Sequence, residues 1–362
     1  MGEPTADLIA CYWTLAGPYV FGEQDQSPWG FRERVEAAGR AGYTGFGIKQ
    51  ADLRETLSRY SFAQMRTIFA DNGIRYLELE ALFGWYSAGD ERSCSDADRS
   101  LLLQAAAELG AHHVKAAGDF DGRPQAVERM HDEFQLLARQ ALDAGTLITL
   151  EPIVISSIPD LDTALQVLGE SAGAGGCLML DSWHVTRGGM SLAQIAALPA
   201  GCIGGVELDD GTLQPVGSEL EDTLNRRRLC GEGEFDLHGF IAAARTAGYQ
   251  GPWGVEIISA EQRARCQHRV PGRAIAGLAP GLCGQGHRQR RAGGQLQPRT
   301  RGRCPRDHRR VGQEHALHDA AHAGLSAAAR CRAVAVAVAR ICAPALPLAH
   351  LAAARIHAVG AQ

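Results

Sequence analysis

The sequence predicts an α/β fold, a (β/α)8 TIM barrel over residues 1–262, followed by an irregular Arg/Ala-rich C-terminal tail over 263–362. Two observations predict it. Eight short apolar runs alternate with amphipathic segments, and the composition changes abruptly near residue 263. A chain of 362 residues with 45% hydrophobic content can bury a sizeable core, and about 250 residues is the usual size of one such barrel.

The first apolar run is LIACYW (8–13), and WGFRERVEAAGRAG (29–42) follows it with apolar residues returning every three or four positions, the spacing of one helix face. GFGI (45–48) comes next. FAQMRTIFADNG (62–73) leads into YLELEAL (76–82), and RSLLLQAAAELG (99–110) into HHVKAAG (112–118). LITLEP (147–152), CLMLDSWH (177–184) and IGGVELDD (203–210) follow, and LHGFIAAARTAG (237–248) precedes the eighth run, WGVEIIS (253–259). Each helical segment closes on glycine, a common helix stop because it tolerates left-handed backbone. Ser27 before Pro28 and Asp236 before Leu237 are expected to start helices by accepting backbone N–H bonds. Strict alternation of strand and helix implies parallel strands with right-handed crossovers. An open dinucleotide-binding sheet would show a Gly-rich turn after its first strand, and LIACYWTLAG has none.

Residues 1–262 carry 19 basic and 38 acidic side chains, whereas 263–362 carry 17 and 3 and contain no Lys, Phe, Tyr or Trp. Such a segment cannot build an ordinary core. Two readings remain open: a natural basic tail for an acidic partner, and translation of a high-GC gene out of frame after the eighth strand. The run CRAVAVAVARICAPALPLAHLAAARIHAVG is interrupted by arginine, proline and histidine, short of a membrane span. The start, MGEPTADLIACYW, has no basic stretch followed by a long apolar run, so a cytoplasmic protein with no membrane association is expected. The ten cysteines are scattered singly and read as reduced thiols, with Cys11, Cys177 and Cys202 as small buried hydrophobes.

In a barrel of this kind the C-terminal ends of the strands face the substrate. Glu151 ends LITLE, Asp181 ends CLMLD, Glu207 ends GGVE and Glu256 lies in WGVEIIS. Four carboxylates converging on one mouth repel one another unless a cation neutralises them. All-oxygen ligation favours Mn²⁺ or Mg²⁺, with Co²⁺ and catalytic Zn²⁺ as alternatives. His184, three residues after Asp181, is placed to touch metal or substrate. Glu78 and Glu80 share one face of the third run, with Glu80 nearer the rim. Lys115, Arg227 and Trp13 complete the candidate substrate contacts, and Trp85 and Trp183 also lie near strand ends. His112 and His113 read as structural. Arg226, Arg227 and Arg228 precede GEGEFD, which reads as a flexible loop.

Taken together, LEP, LDSWH, VELDD, RRRLCGEGEFDL and WGVEIIS resemble the xylose isomerase-like sugar phosphate isomerase/epimerase superfamily, over roughly residues 8–259. The resemblance implies metal-binding roles for Glu151, Asp181 and Glu256, with Glu151 and Glu256 doubling as acid and base, and a substrate or outer-shell role for His184. Glu207 departs from the pattern, because many relatives place His or Gln there. The implied function is a divalent-metal-dependent sugar (phosphate) isomerase or epimerase, acting on a small sugar or polyol through an enediolate, often as a homo-oligomer. Two alternatives stand beside it. One is a dehydratase or lyase of the same chemistry, acting on a keto-inositol, a dehydroshikimate-like acid or an oxidised glycoside. The other is an inactive barrel with a damaged C-terminus. The acidic barrel segment argues against nucleic acid as a substrate.

Overall fold

All eight apolar runs become strands. The computed structural model describes residues 6–19, 26–123 and 125–267; the expectations for the tail beyond 267 lie outside them. Strands β1 (Leu8–Ala10), β2 (Gly45–Lys49), β3 (Tyr76–Leu82), β4 (His113–Ala117), β5 (Leu147–Glu151), β6 (Gly176–Asp181), β7 (Ile203–Leu208) and β8 (Trp253–Val255) form a closed parallel barrel in sequence order. Closure is explicit in β8, which pairs with β7 on one side and with β1 on the other. Helices α1 (Tyr12–Leu15), α2 (Phe31–Ala41), α3 (Gln50–Leu57), α4 (Phe62–Asp71), α5 (Gly89–Leu109), α6 (Val127–Asp143), α7 (Leu161–Leu168), α8 (Ser182–Arg187), α9 (Leu192–Ala196), α10 (Glu219–Asn225), α11 (Leu237–Thr246) and α12 (Ala260–Gln267) connect and follow the strands.

The outward faces of the strands and the inward stripes of the helices make one core. In α2 the buried residues are Phe31, Arg34, Val35, Ala37, Ala38 and Ala41, which line one broad face of the helix. Arg34 is admitted to it because its guanidinium pairs with buried Asp52 and lies over the rings of Tyr12 and Phe46. At the end of α2, Gly42 takes φ 92° and its N–H closes on Ala38 and Gly39.

Some boundaries differ from expectation. Ser27 does not start a helix: its Oγ accepts from the Trp29 N–H and its own N–H donates to Asp52, and α2 begins after Gly30. The turn competes for the serine oxygen, and Glu33 closes the helix start instead by accepting from Gly30 N–H. Asp236 caps α11 as read, accepting from Gly239 N–H at 2.9 Å. Tyr12 and Trp13 leave β1 for α1, and Ser182–His184 leave β6 for α8, because the chain turns over the rim there. Cys11, Cys177, Cys202 and Cys230 are free and buried. Cys94 is disulfide-bonded, which corrects the reading of all ten as reduced: single spacing along a chain does not report proximity in space. No helix among the described residues is long and apolar enough to cross a membrane.

Glycines on the strands leave room for polar side chains along the barrel axis. A Cβ on Gly47 would stand 2.5 Å from Tyr12 N and 3.0 Å from Cys11 Cα. Both are backbone atoms that cannot swing away. Gly47→Ala is therefore expected to destabilise the protein by about 1–3 kcal/mol, seen as a lower urea midpoint at unchanged slope.

Candidate metal and active site

Strand register brings the acids to one level. Asp181 on β6 lies opposite Glu207 on β7, and Glu207 lies opposite Gly254 on β8. Gly254 matters here because a Cβ would come within 2.9 Å of Glu207 Cγ and Cys11 Sγ. Glu256 follows two residues later, on the same side of the strand. Glu151, Asp181, Glu207 and Glu256 each offer an oxygen within 4.8 Å of the others, and Glu151, Asp181 and His184 make an overlapping set. All five side chains are buried.

Two cations are built into this cluster. Lys115, on β4, places Nζ 2.6 Å from Glu207 Oε1, 3.1 Å from Glu256 Oε1, 3.4 Å from Glu80 Oε2 and 3.8 Å from Glu151 Oε2. Arg227 directs one Nη1 to Asp181 Oδ2 at 2.6 Å, Asp209 Oδ2 at 2.6 Å and Glu256 Oε2 at 2.7 Å. Both are almost wholly buried, so these two predicted substrate contacts spend their charge on carboxylates. His184 Nε2 stands 3.8 Å from both Glu151 Oε1 and Asp181 Oδ2, and its Nδ1 has no partner. Asp181 also accepts the Trp183 N–H, which starts α8 and fixes His184 over the cluster.

Glu80 Oε1 accepts the Tyr12 N–H at 3.0 Å, tying the rim to β1. Trp13, beside Tyr12, is half-buried and packs edge-on against Tyr12 and Tyr19. Trp85 and Trp183 are fully buried with their indole N–H groups bound to Ala117 O and Thr223 Oγ1, so they belong to the core and not to a pocket wall. Beneath the acids, Glu78 Oε2 contacts His113 Nε2 at 3.0 Å, and the two neighbouring histidines contact each other through Nδ1. Burial holds His113 down at about 3 and His112 at about 4, consistent with their structural reading.

Asp209 was not foreseen. It is buried, accepts Ser182 Oγ–H at 2.7 Å and shares Arg227 with Asp181. The signal was available, because the alternation that turns Glu207 inward turns the second residue after it the same way. The GEGEFD segment is tied back at both ends: Asp210 Oδ2 accepts Gly231 N–H and its Oδ1 accepts Phe235 N–H. That anchoring holds Arg227 in place through the paired backbone of Asp210 and Arg228.

Burial, opposed by Lys115, pushes Glu80 and Glu151 up to about 8. Burial and the Glu256 charge drive Glu207 well above the carboxylate range, and burial with Asp181 does the same to Asp209. Burial would depress Lys115 and Arg227, but the surrounding carboxylates outweigh it and hold both well above their ordinary values. Burial and Arg227 keep His184 well below its own, hence neutral. The residues therefore fit a divalent ion: six buried carboxyls face two internal cations, four of them converge within ligand range, and Glu207 Oε2 has no partner.

A carboxyl that ionises near 4.5 when unfolded and near 8 when folded binds its proton more tightly in the folded state. Its contribution to stability is full at low pH and is lost as pH rises through 8. The thermal midpoint of metal-free protein is expected to fall by several degrees from pH 6 to pH 9, and excess Mn²⁺ to reduce that fall. A flat or rising profile without metal would contradict the shifts.

A family model described as the xylose isomerase-like TIM barrel matches residues 35–274. The chain belongs to the xylose isomerase-like TIM-barrel family. Among curated proteins, a 3-dehydroshikimate dehydratase from Pseudomonas aeruginosa is 27% identical over 233 residues, covering 63% of this chain and 36% of the relative. The chain thus spans about a third of the length of that relative. Among solved structures, the IOLI protein with a bound zinc atom aligns at TM-score 0.61 and 20% identity, covering 74% of this chain and 94% of that one. D-allulose 3-epimerase from Methylomonas sp., in complex with D-allulose, aligns at TM-score 0.53 and 20% identity over 72% and 87%.

Proposed function

We propose that this chain removes a proton from the carbon next to a carbonyl of a small polyhydroxylated substrate, with a divalent ion held by Glu151, Asp181, Glu207 and Glu256. The observation that carries the reading is the convergence of those four buried carboxylates, one of which, Glu151, is pushed up to about 8. When bound, the ion would supply positive charge to the oxygen on which negative charge develops. Glu151 takes the proton, since it is the acid of the four held least closely by Lys115 and Arg227. Neutral His184 offers its ring to a substrate hydroxyl, Glu151 gives back the proton it took, and Glu256, oriented by Lys115 and Arg227, completes the carboxylates that would hold the ion.

Returned to carbon, that proton gives isomerisation or epimerisation. Returned to a hydroxyl on the next carbon, it releases water and leaves a carbon–carbon double bond. The dehydratase relative favours elimination, and we place dehydration of a cyclic hydroxyketone first, ahead of the sugar isomerase or epimerase that the motifs favour. The ion is Mn²⁺ or Mg²⁺ on the oxygen donors, and the zinc-bearing neighbour keeps Zn²⁺ in the test set.

The test is to incubate metal-loaded protein in D₂O with 3-dehydroshikimate and, separately, with D-allulose, and follow both by NMR. Loss of water from the first supports dehydration. Deuterium incorporation with interconversion of the second supports epimerisation. Absence of exchange and turnover with both, in protein shown to hold metal, overturns the reading for these two substrate classes.

A further inference from the structure

We propose that Lys115 is a resident counter-cation of the acid cluster, competing with the divalent ion for Glu207 and Glu256 so that the ion binds loosely enough to exchange. This rests on the metal-site reading above. Three of the four converging carboxylates, Glu207, Glu256 and Glu151, already face its ammonium at 2.6, 3.1 and 3.8 Å. The fourth, Asp181, is held by Arg227. Two positive charges a few ångströms apart in a water-poor interior repel strongly. An ion and Lys115 therefore cannot both keep these contacts, and the ion's affinity is the difference between its attraction to the acids and the cost of displacing the lysine.

The barrel also provides a place for the displaced ammonium. Glu80 lies 3.4 Å from Nζ, is not one of the four converging acids, and is fixed by its bond to Tyr12 N–H. The four-carbon lysine stem can swing a point charge over such a distance. Lys115 then moves from the Glu207 and Glu256 side to the Glu80 side as the ion enters. In the metal-free protein it does the opposite work, preventing collapse of the acid cluster through self-repulsion.

The experiment is calorimetric titration of the full chain with Mn²⁺ at constant pH, beside Lys115→Met, Lys115→Gln and the charge-retaining Lys115→Arg, with thermal unfolding of each in and out of Mn²⁺. Expected results are a Kd at least tenfold lower in the Met and Gln variants, with no tightening in Arg. Metal-free Tm should fall in Met and Gln, and the rise on adding Mn²⁺ should exceed that of wild type. A neutral variant that folds only with Mn²⁺ supports the same conclusion, since the ion has then replaced the ammonium. Unchanged or weaker affinity in both neutral variants, or failure of both to fold even in excess Mn²⁺, overturns it. Wild-type protein that, titrated with each in turn, binds none of Mn²⁺, Mg²⁺ and Zn²⁺ removes the metal-site reading as well, whereas wild-type binding with unaltered variants removes only the role of Lys115.

Discussion

Glu151→Gln is expected to lower kcat by about 10²- to 10⁴-fold, the range lost when a positioned general base is removed, while metal-free stability stays the same or rises. Glu151 is singled out by what does not hold it. Glu256 is gripped by Lys115 and Arg227, and Glu207 by Lys115 at 2.6 Å. Glu151 has its nearest cation, Lys115, 3.8 Å away, with neutral His184 at the same distance, and among the described residues its carboxylate accepts no hydrogen bond. It is the least committed acid of the four. The replacement keeps shape and removes the ability to accept a proton. Stability should not suffer, because a buried carboxyl displaced to about 8 is already a strained guest at neutral pH. Rapid-quench or NMR rates on the best substrate, beside calorimetric Tm, check both halves. A variant retaining more than a tenth of wild-type turnover would assign the base elsewhere.

Arg227→Met is expected to be the most destabilising single change at the site. One guanidinium nitrogen serves Asp181, Asp209 and Glu256 at 2.6–2.7 Å, and all four side chains are buried. Removing one partner of a buried ionic group leaves the other charges uncompensated, a loss of about 3–5 kcal/mol. The urea midpoint reports it. Mn²⁺ should recover part of the loss, because an ion on Asp181 and Glu256 restores positive charge to two of the three acids. A loss below about 1 kcal/mol would mean that the carboxylates protonate without cost. Arg227→Lys should fall between, since an ammonium keeps the positive charge but not the reach and geometry of the guanidinium among the three acids.

The strands were legible because each is a short apolar run between turn signals, and all eight lie where the sequence places them. The acids that end those runs were legible for the same reason: a charged residue closing an apolar strand has only the rim to go to. Ser27 was misread because capping preference is local and Asp52, twenty-five residues on, claims the same turn. Nearness to a strand end left open whether Trp85 and Trp183 pack or line a pocket, and the fold buries both in the core. Lys115 and Arg227 were identified as site residues, but as substrate contacts, whereas the fold spends them on the acids.

The sequence by itself determined the alternating strands and helices, the parallel order, and which carboxylates stand at the rim, because period-two and period-3.6 patterns report which face of an element is apolar. Only the tertiary structure decided that Asp209 joins Arg227, that Lys115 sits among the converging carboxylates, and that Asp210 ties back the GEGEFD segment. Those contacts join residues up to 141 positions apart. Their energies depend on distance and on exclusion of water, and barrel closure creates both.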